Sequence, residues 1–491
     1  MTRASGTLVV LMLAAQTAGA QPSADTVSRL DLIALHAERI GRANGEAIWP
    51  GFRPDTIPLA FVLPTHGTAL FNWRGTLPEG FAPLANARNA AWRDQQALGA
   101  ASTGASLGGR AVAQVVVSSL DPASLLPVAI HEAFHVFQAA SVKPGRRFGR
   151  GENSFYVSSY PVFEVENEMM FMREGELLAQ ALRAPTLEEK RELARQFVAI
   201  RRARHLRLDD PYALFDRASE MNEGLAQYAQ VRALELMAND AQVPAEWRPL
   251  ALKQLSEEGA RLGNLTRNVT QSFRLRYYST GPAQARLLDA LSGQAGWKRQ
   301  MMDRNETLQD ALARVSGLDA LETRAFIRAA AASDTARAGA ASRAAIASLR
   351  ALRAAQVDSA LAAPGILLEL SARNLSSKDF GSCGFDPQNL LQVTVTKQLH
   401  TRWWRPCAGP SLVAELNVPA VHDRTDGTIR AVIGAEADVK ITVGGKSVTL
   451  ADGENLDAAA DVRIEAPRAS IQSARANISR IGMILRITPV P

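Results

Sequence analysis

Two histidines and a glutamate, His131-Glu132-x-x-His135, are the residues of this 491-residue chain best spaced for chemistry. Histidines four apart on a helix leave one face, so both imidazoles can reach a single metal ion. Glu132, beside the first, can then take a proton from a water that the ion activates. His36, His66, His205, His400 and His422 lack such spacing and read as structural or exposed. The run Leu125 to Ala140 around the pair is apolar, with Pro127 expected in its first turn and Lys143-Pro144-Gly145 beyond its end. It reads as a buried helix. Two imidazoles and a carboxylate buried together need polar partners, which a metal ion and its water can supply.

A catalytic zinc takes three protein ligands and leaves a position for water. A third histidine in an extended motif would require Gly at 138 and His at 141, where this chain has Gln138 and Ser141. A carboxylate from a second helix is the alternative, and Glu223 in Asn222-Glu223-Gly224 is the best placed. Glu168, Glu174 and Glu220 are its rivals. Glu220, three residues before Glu223 on the same helix face, is better suited to orienting a ligand. The cysteine count, Cys383 and Cys407 alone, excludes a thiolate zinc site.

The pairing of His131-Glu132-x-x-His135 with Asn222-Glu223-Gly224-x-Ala226-x-Tyr228 resembles the gluzincins, the zinc metallopeptidases of the thermolysin and aminopeptidase-N groups. Tyr278-Ser279-Thr280-Gly281 is similar to their Tyr-x-x-Gly segment. The resemblance covers residues 111 to 300 and implies a zincin-like catalytic core with one Zn2+ per chain on His131, His135 and Glu223. It further implies Glu132 as general base and Tyr278 as the phenol donating to the tetrahedral oxyanion, with Tyr277 the adjacent rival. One departure is large: His135 and Glu223 are separated by most of a hundred residues instead of about one and a half dozen. Two helices are expected inside that insertion, at 162–184 and 186–208, as a lid or a substrate wall. No Gly-x-Met-Glu-Asn segment supports recognition of a free substrate N-terminus. Ala111 to Val117 is either the edge strand that holds an extended peptide in such enzymes or an ordinary buried strand.

These residues need elements to hold them, and the pattern predicts an α+β chain. Residues 1–20 read as a secretory signal, with an apolar run Leu8 to Ala15 and Ala18-Gly19-Ala20 before the cleavage point. Residues 21–120 open with an amphipathic helix and continue as a small mixed sheet, with strands at 57–63, 69–73 and 111–119 and a short helix in 86–98. Residues 121–361 are helical by apolar spacing. The charge-dense stretch 188–207 reads as a solvated helix face. From Gly365 the period changes, and 365–491 form a separate all-β sandwich or barrel with a hairpin turning at Gly444-Gly445.

Cys383 and Cys407 could be joined in an oxidising compartment or remain two buried thiols; the disulfide is favoured. Trp403-Trp404 beside them read as core aromatics, with ligand stacking as the alternative. A net charge of +6 is modest for this length. No Lys/Arg block with interleaved aromatics marks a nucleic-acid face, and no later apolar run is long enough for a membrane span. A peptide or protein substrate in the periplasm or outside the cell is the expectation, with the β domain as a candidate site for a protein or envelope-polymer ligand. The alternatives are an amidase acting on cell-wall peptides and a non-catalytic, zinc-stabilised envelope binding protein.

Overall fold

The computed structural model describes residues 22–490, apart from 65, 86, 95–101, 263–264, 266–271, 294–295, 333–334, 372–379 and 410. The predicted signal segment lies outside the described residues. The fold is α+β, with helices, a small mixed sheet and a large C-terminal sheet. Contacts divide the described residues into two compact units, one reaching to 141 together with 229–255, the other of 142–228 with the residues from 256 onward.

The first unit opens with α1 (Ala24–Ile48), whose N-terminus is capped by the Ser23 side chain. Six strands follow: β1 (Leu59–Leu63), β2 (Gly67–Phe71), β3 (Ala82–Pro83), β4 (Ala90–Arg93), β5 (Thr103–Leu107) and β6 (Arg110–Val116). They form one sheet in the order β3-β4-β2-β1-β6-β5, with β1 and β6 parallel. In the described part of the helix expected at 86–98 the chain forms β4, because Ala91 and Trp92 are both buried and pair with Leu70 and Ala69 of β2; 86 and 95–98 lie outside the described residues. β6 is interior and not a peptide-holding edge. Its outer neighbour β5, Thr-Gly-Ala-Ser-Leu, carries too little apolar signal to be recognised in sequence.

α2 (Pro122–Ala140) packs on β6 and α1. It begins three residues before the apolar run. Asp121 accepts from the Ala123 amide at 3.0 Å and from Ser124 Oγ at 2.8 Å, and Pro122 occupies the first turn. Pro127 therefore lies inside the helix, one turn later than the sequence suggested. Phe134 anchors α2 through edge-on contacts with Trp49 and Phe52, at centroid distances of 5.7 and 5.1 Å.

The second unit begins its helices with α3 (Val165–Arg183), α4 (Leu187–His205) and α5 (Asp210–Ser219). A π-helical turn, Glu220–Gly224, leads into α6 (Leu225–Asn239), which carries the chain across the unit boundary, as does α7 (Trp247–Leu262). α8 (Tyr277–Ser292), α9 (Gly296–Arg304), α10 (Leu308–Ser316), α11 (Ala320–Ala332) and α12 (Thr335–Leu361) follow. The two helices expected in the insertion are present as α3 and α4. α3 packs on α4, α8 and α12, while α4 packs on α8, α10 and α11. The charged face of α4 is not wholly solvated either: Arg201, Arg204 and His205 are buried against carboxylates.

The rest of this unit is a 13-stranded sheet. Its strands are β7 (Ile366–Ser371), β8 (Gly381–Phe385), β9 (Leu390–Gln392), β10 (Lys397–His400), β11 (Trp404–Ala408), β12 (Leu412–Leu416), β13 (Ala420–Asp423), β14 (Thr428–Gly434), β15 (Lys440–Val443), β16 (Lys446–Val448), β17 (Asn455–Ala466), β18 (Ala469–Ile481) and β19 (Ile484–Pro489). The main path runs β16-β15-β17-β18-β19-β7-β14-β13-β10-β9, with β12, β11 and β8 branching from β18. The β15–β16 hairpin turns at Gly444 and Gly445, both at positive φ (55° and 76°), as a type I′ turn requires. Cys383 and Cys407 are joined in a disulfide between β8 and β11, with Cα atoms 5.8 Å apart. Trp404 is core, stacked on His400 at 4.2 Å. Among the described residues no helix is long and apolar enough to cross a membrane.

Candidate metal centre

α2 delivers the histidine pair as the i, i+4 spacing dictates. His131 is buried and His135 half-buried, and their Nε2 atoms face each other at 3.1 Å. Two ligands bound to one tetrahedral zinc at ~2.05 Å would sit roughly 3.3 Å apart, so the pair is already close to that spacing. Gln138, one turn on, fixes the second imidazole. Its Oε1 lies 3.0 Å from His135 Nδ1. The carbonyl oxygen places the proton on Nδ1 and leaves the Nε2 lone pair for an ion. In sequence Gln138 reads only as the residue that breaks an extended histidine motif, although its i+3 spacing from His135 puts it within reach. Glu132 is buried on the same helix, at 6% exposure.

Glu223 comes from the π-helical turn. One donor atom from each of His131, His135 and Glu223 lies within 4.8 Å of the others. Two imidazole nitrogens and a carboxylate oxygen form a donor set that suits a divalent ion. Among the described residues, none of the rivals belongs to this donor group. Glu168 takes a two-pronged ion pair from Arg276, at 2.7 and 2.5 Å. Glu174 is bound by Arg201 and Arg204, each at 2.7 Å. Glu220 accepts from Arg201 at 2.8 Å and Thr280 at 2.6 Å, so it ties the turn that carries Glu223 to α4 and α8.

Two motif glycines explain how α8 comes so near this turn. A Cβ on Gly281 would lie 2.4 Å from Gly224 Cα, and one on Gly224 would lie 2.7 Å from Gly281 Cα. Only residues without side chains allow the two backbones to touch. The result sets Tyr278 beside Glu223, with the phenol donating to Oε2 at 2.5 Å. Burial and the neighbouring Glu223 carboxylate push the phenol well above its ordinary pKa, which keeps its proton in place. Tyr277 is turned away, fully buried and donating to Asp216.

Arg274 was not singled out in the sequence. Its Nη2 donates to Glu223 Oε1 at 2.6 Å and its Nη1 to the Tyr278 hydroxyl at 3.2 Å, while Nε pairs with Glu152. Burial alone would lower the guanidinium pKa, but Glu223, Tyr278 and Glu152 together raise it well above normal. Its position four residues before Tyr278 is the one sequence signal that could have found it. Glu152 and Gln388, which donates to the Tyr278 hydroxyl at 3.0 Å, carry no such signal.

No protein-family profile, curated protein or solved structure matches this chain.

Proposed function

We propose that the protein is an exported zinc-dependent metallopeptidase of gluzincin type. The observation that carries the reading is the gathering of His131, His135 and Glu223 donor atoms within 4.8 Å, with Glu132 on the histidine helix. The donor set, nitrogen and carboxylate without thiolate, is that of catalytic zinc. The disulfide supports an oxidising compartment.

When bound, zinc would lower the pKa of a water and polarise the substrate carbonyl. The chain's own residues do the rest. Glu132 takes the proton from the attacking water and returns it to the leaving nitrogen as the C–N bond breaks. The Tyr278 hydroxyl, kept protonated, donates to the oxygen that gains negative charge. Gln138 holds His135 in the tautomer that presents Nε2, and Arg274 fixes the plane of the Glu223 carboxylate.

The test is metal content together with turnover. One zinc per chain and chelator-sensitive cleavage of a peptide library are expected. Glu132→Gln should keep the zinc and lose at least about a hundredfold in kcat. Full activity in that variant would refute the mechanism, and tight zinc with no cleavage of any peptide would refute the peptidase reading.

A further inference from the structure

α12 meets one face of the C-terminal sheet unevenly. Val357 is buried and packs with Leu391, Leu399 and Val421, so the helix is seated there on β9, β10 and β13. Leu352, Gln356 and Ala360, four residues apart, share one face of α12. Beside them run Ala355 and Ser359, whose side chains are too short to fill the space against the strands. From the sheet comes Val432 of β14. Its neighbours Ala431 and Ile433 belong to the sheet's own core, so strand alternation turns Val432 to the opposite face.

A cavity of about 490 Å3, partly open to solvent, lies between the two walls, with Leu399, Pro419 and Val432 on the sheet side. That volume is in the range of small-molecule sites. Among the described residues no charged side chain lines it. The Thr401 hydroxyl at its edge is already spent, donating to Asn389 Oδ1 at 3.1 Å. Gln356 is different. Its Oε1 is buried and has no hydrogen-bond partner among the described residues. A buried acceptor without a donor carries a desolvation cost that a bound donor would recover.

We infer that the cavity between α12 and the sheet binds a neutral small molecule with an apolar body and one hydroxyl or N–H group, which Gln356 receives. An ion is disfavoured, since nothing in the lining compensates a charge taken out of water. An extended peptide is disfavoured as well. β10, β13 and β14 each have a strand on both sides, so none offers a free backbone edge for pairing. None of these residues belongs to the metal centre, and the inference stands apart from the peptidase reading.

The test uses the full chain and N-phenyl-1-naphthylamine, a neutral apolar fluorophore with one N–H. Titration should show saturable binding at one site per chain, with a Kd of about 100 µM or tighter. No saturable binding would overturn the site. Ala355→Trp and Val432→Trp fill the cavity from opposite walls, and each should weaken the probe at least about tenfold. Full affinity in either folded variant would place the probe elsewhere and overturn the assignment. In competition against the probe, 1-naphthol should bind about fivefold more tightly than naphthalene, and Gln356→Leu should remove that difference. A difference that persists would overturn the part given to Gln356. Displacement by 1-naphthalenesulfonate as effective as by 1-naphthol would overturn the neutral class. Loss of probe sites as protein concentration rises, with dimers in gel filtration, would give the surface to a second copy of the chain and overturn the small-molecule site.

Discussion

Arg274→Met should weaken the fold and tighten zinc binding. In the metal-free protein the Arg274 guanidinium neutralises two carboxylates, Glu152 and Glu223, and its own exposure is 5%. Removing one partner of a buried ion pair costs about 3–5 kcal/mol, because the remaining charge is left without compensation. Methionine keeps most of the packing, so this loss is chiefly electrostatic. Zinc changes the balance at one of the two carboxylates. Bound to Glu223, it supplies the missing positive charge, whereas Glu152 stays uncompensated in both states. About half the penalty, roughly 2 kcal/mol, should vanish on metal binding, and by linkage that equals a roughly thirtyfold lower zinc Kd in the variant. Denaturant unfolding with and without zinc measures the first quantity, and competition against a chelating dye measures the second. Destabilisation of equal size in both states, or weaker zinc binding, would refute the reasoning. Either result would mean that Arg274 serves to orient Glu223 more than to neutralise it.

Other outcomes follow from the same structure. Gly281→Ala places a Cβ 2.4 Å from Gly224 Cα, a clash with backbone that cannot rotate away. It should cost at least about 1–3 kcal/mol and displace Glu223, so chelator competition should show weaker zinc binding. Replacing Cys383 and Cys407 together by serine should lower unfolding stability by about 3 kcal/mol, as expected for closing a loop with a sequence separation of 24. Burial holds His400 down to about 3 and His422 to about 4. The unfolded chain therefore protonates first, and stability present above about pH 6.5 is lost as pH falls toward those values. His400→Phe, which can keep the stack on Trp404, should flatten the fall between pH 7 and pH 5 by on the order of 2 kcal/mol in denaturant titrations. An unchanged slope would show that His400 is not the source.

How far the sequence could be read depended on how local each signal was. The i, i+4 histidines and the apolar run around them predict α2, because helix geometry alone fixes which side chains share a face. The change of period at Gly365 marks the C-terminal sheet, and Gly444-Gly445 marks its hairpin, for the same local reason. β4 and β5 escaped because strand formation there depends on neighbours distant in sequence, β2 and β6, and not on their own composition. The charged face of α4 misled for a related reason. Arg201 and Arg204 meet Glu174 from another helix, and a lone helical sequence cannot show whether its charges face water or a partner.

The glycines of the two short motifs acquire a reason from the fold that spacing could not give. Asn222-Glu223-Gly224 and Tyr278-Ser279-Thr280-Gly281 read in sequence as separate signatures, one for a ligand and one for a phenol. In the folded chain they are two halves of one contact, since Gly224 and Gly281 meet backbone to backbone. Glu220 and Thr280 seal that contact with a buried hydrogen bond at 2.6 Å, and Arg201 fixes the Glu220 carboxylate from behind at 2.8 Å. The long insertion supplies Arg201, and thus takes part in holding the turn on which Glu223 sits. An inserted segment that only covered the cleft could be shortened with loss of selectivity alone. One that buttresses the carboxylate turn cannot. Arg201→Met should therefore weaken zinc binding although Arg201 touches none of the three donor residues in this structure. Unaltered affinity in a folded variant would return the insertion to a role apart from the metal.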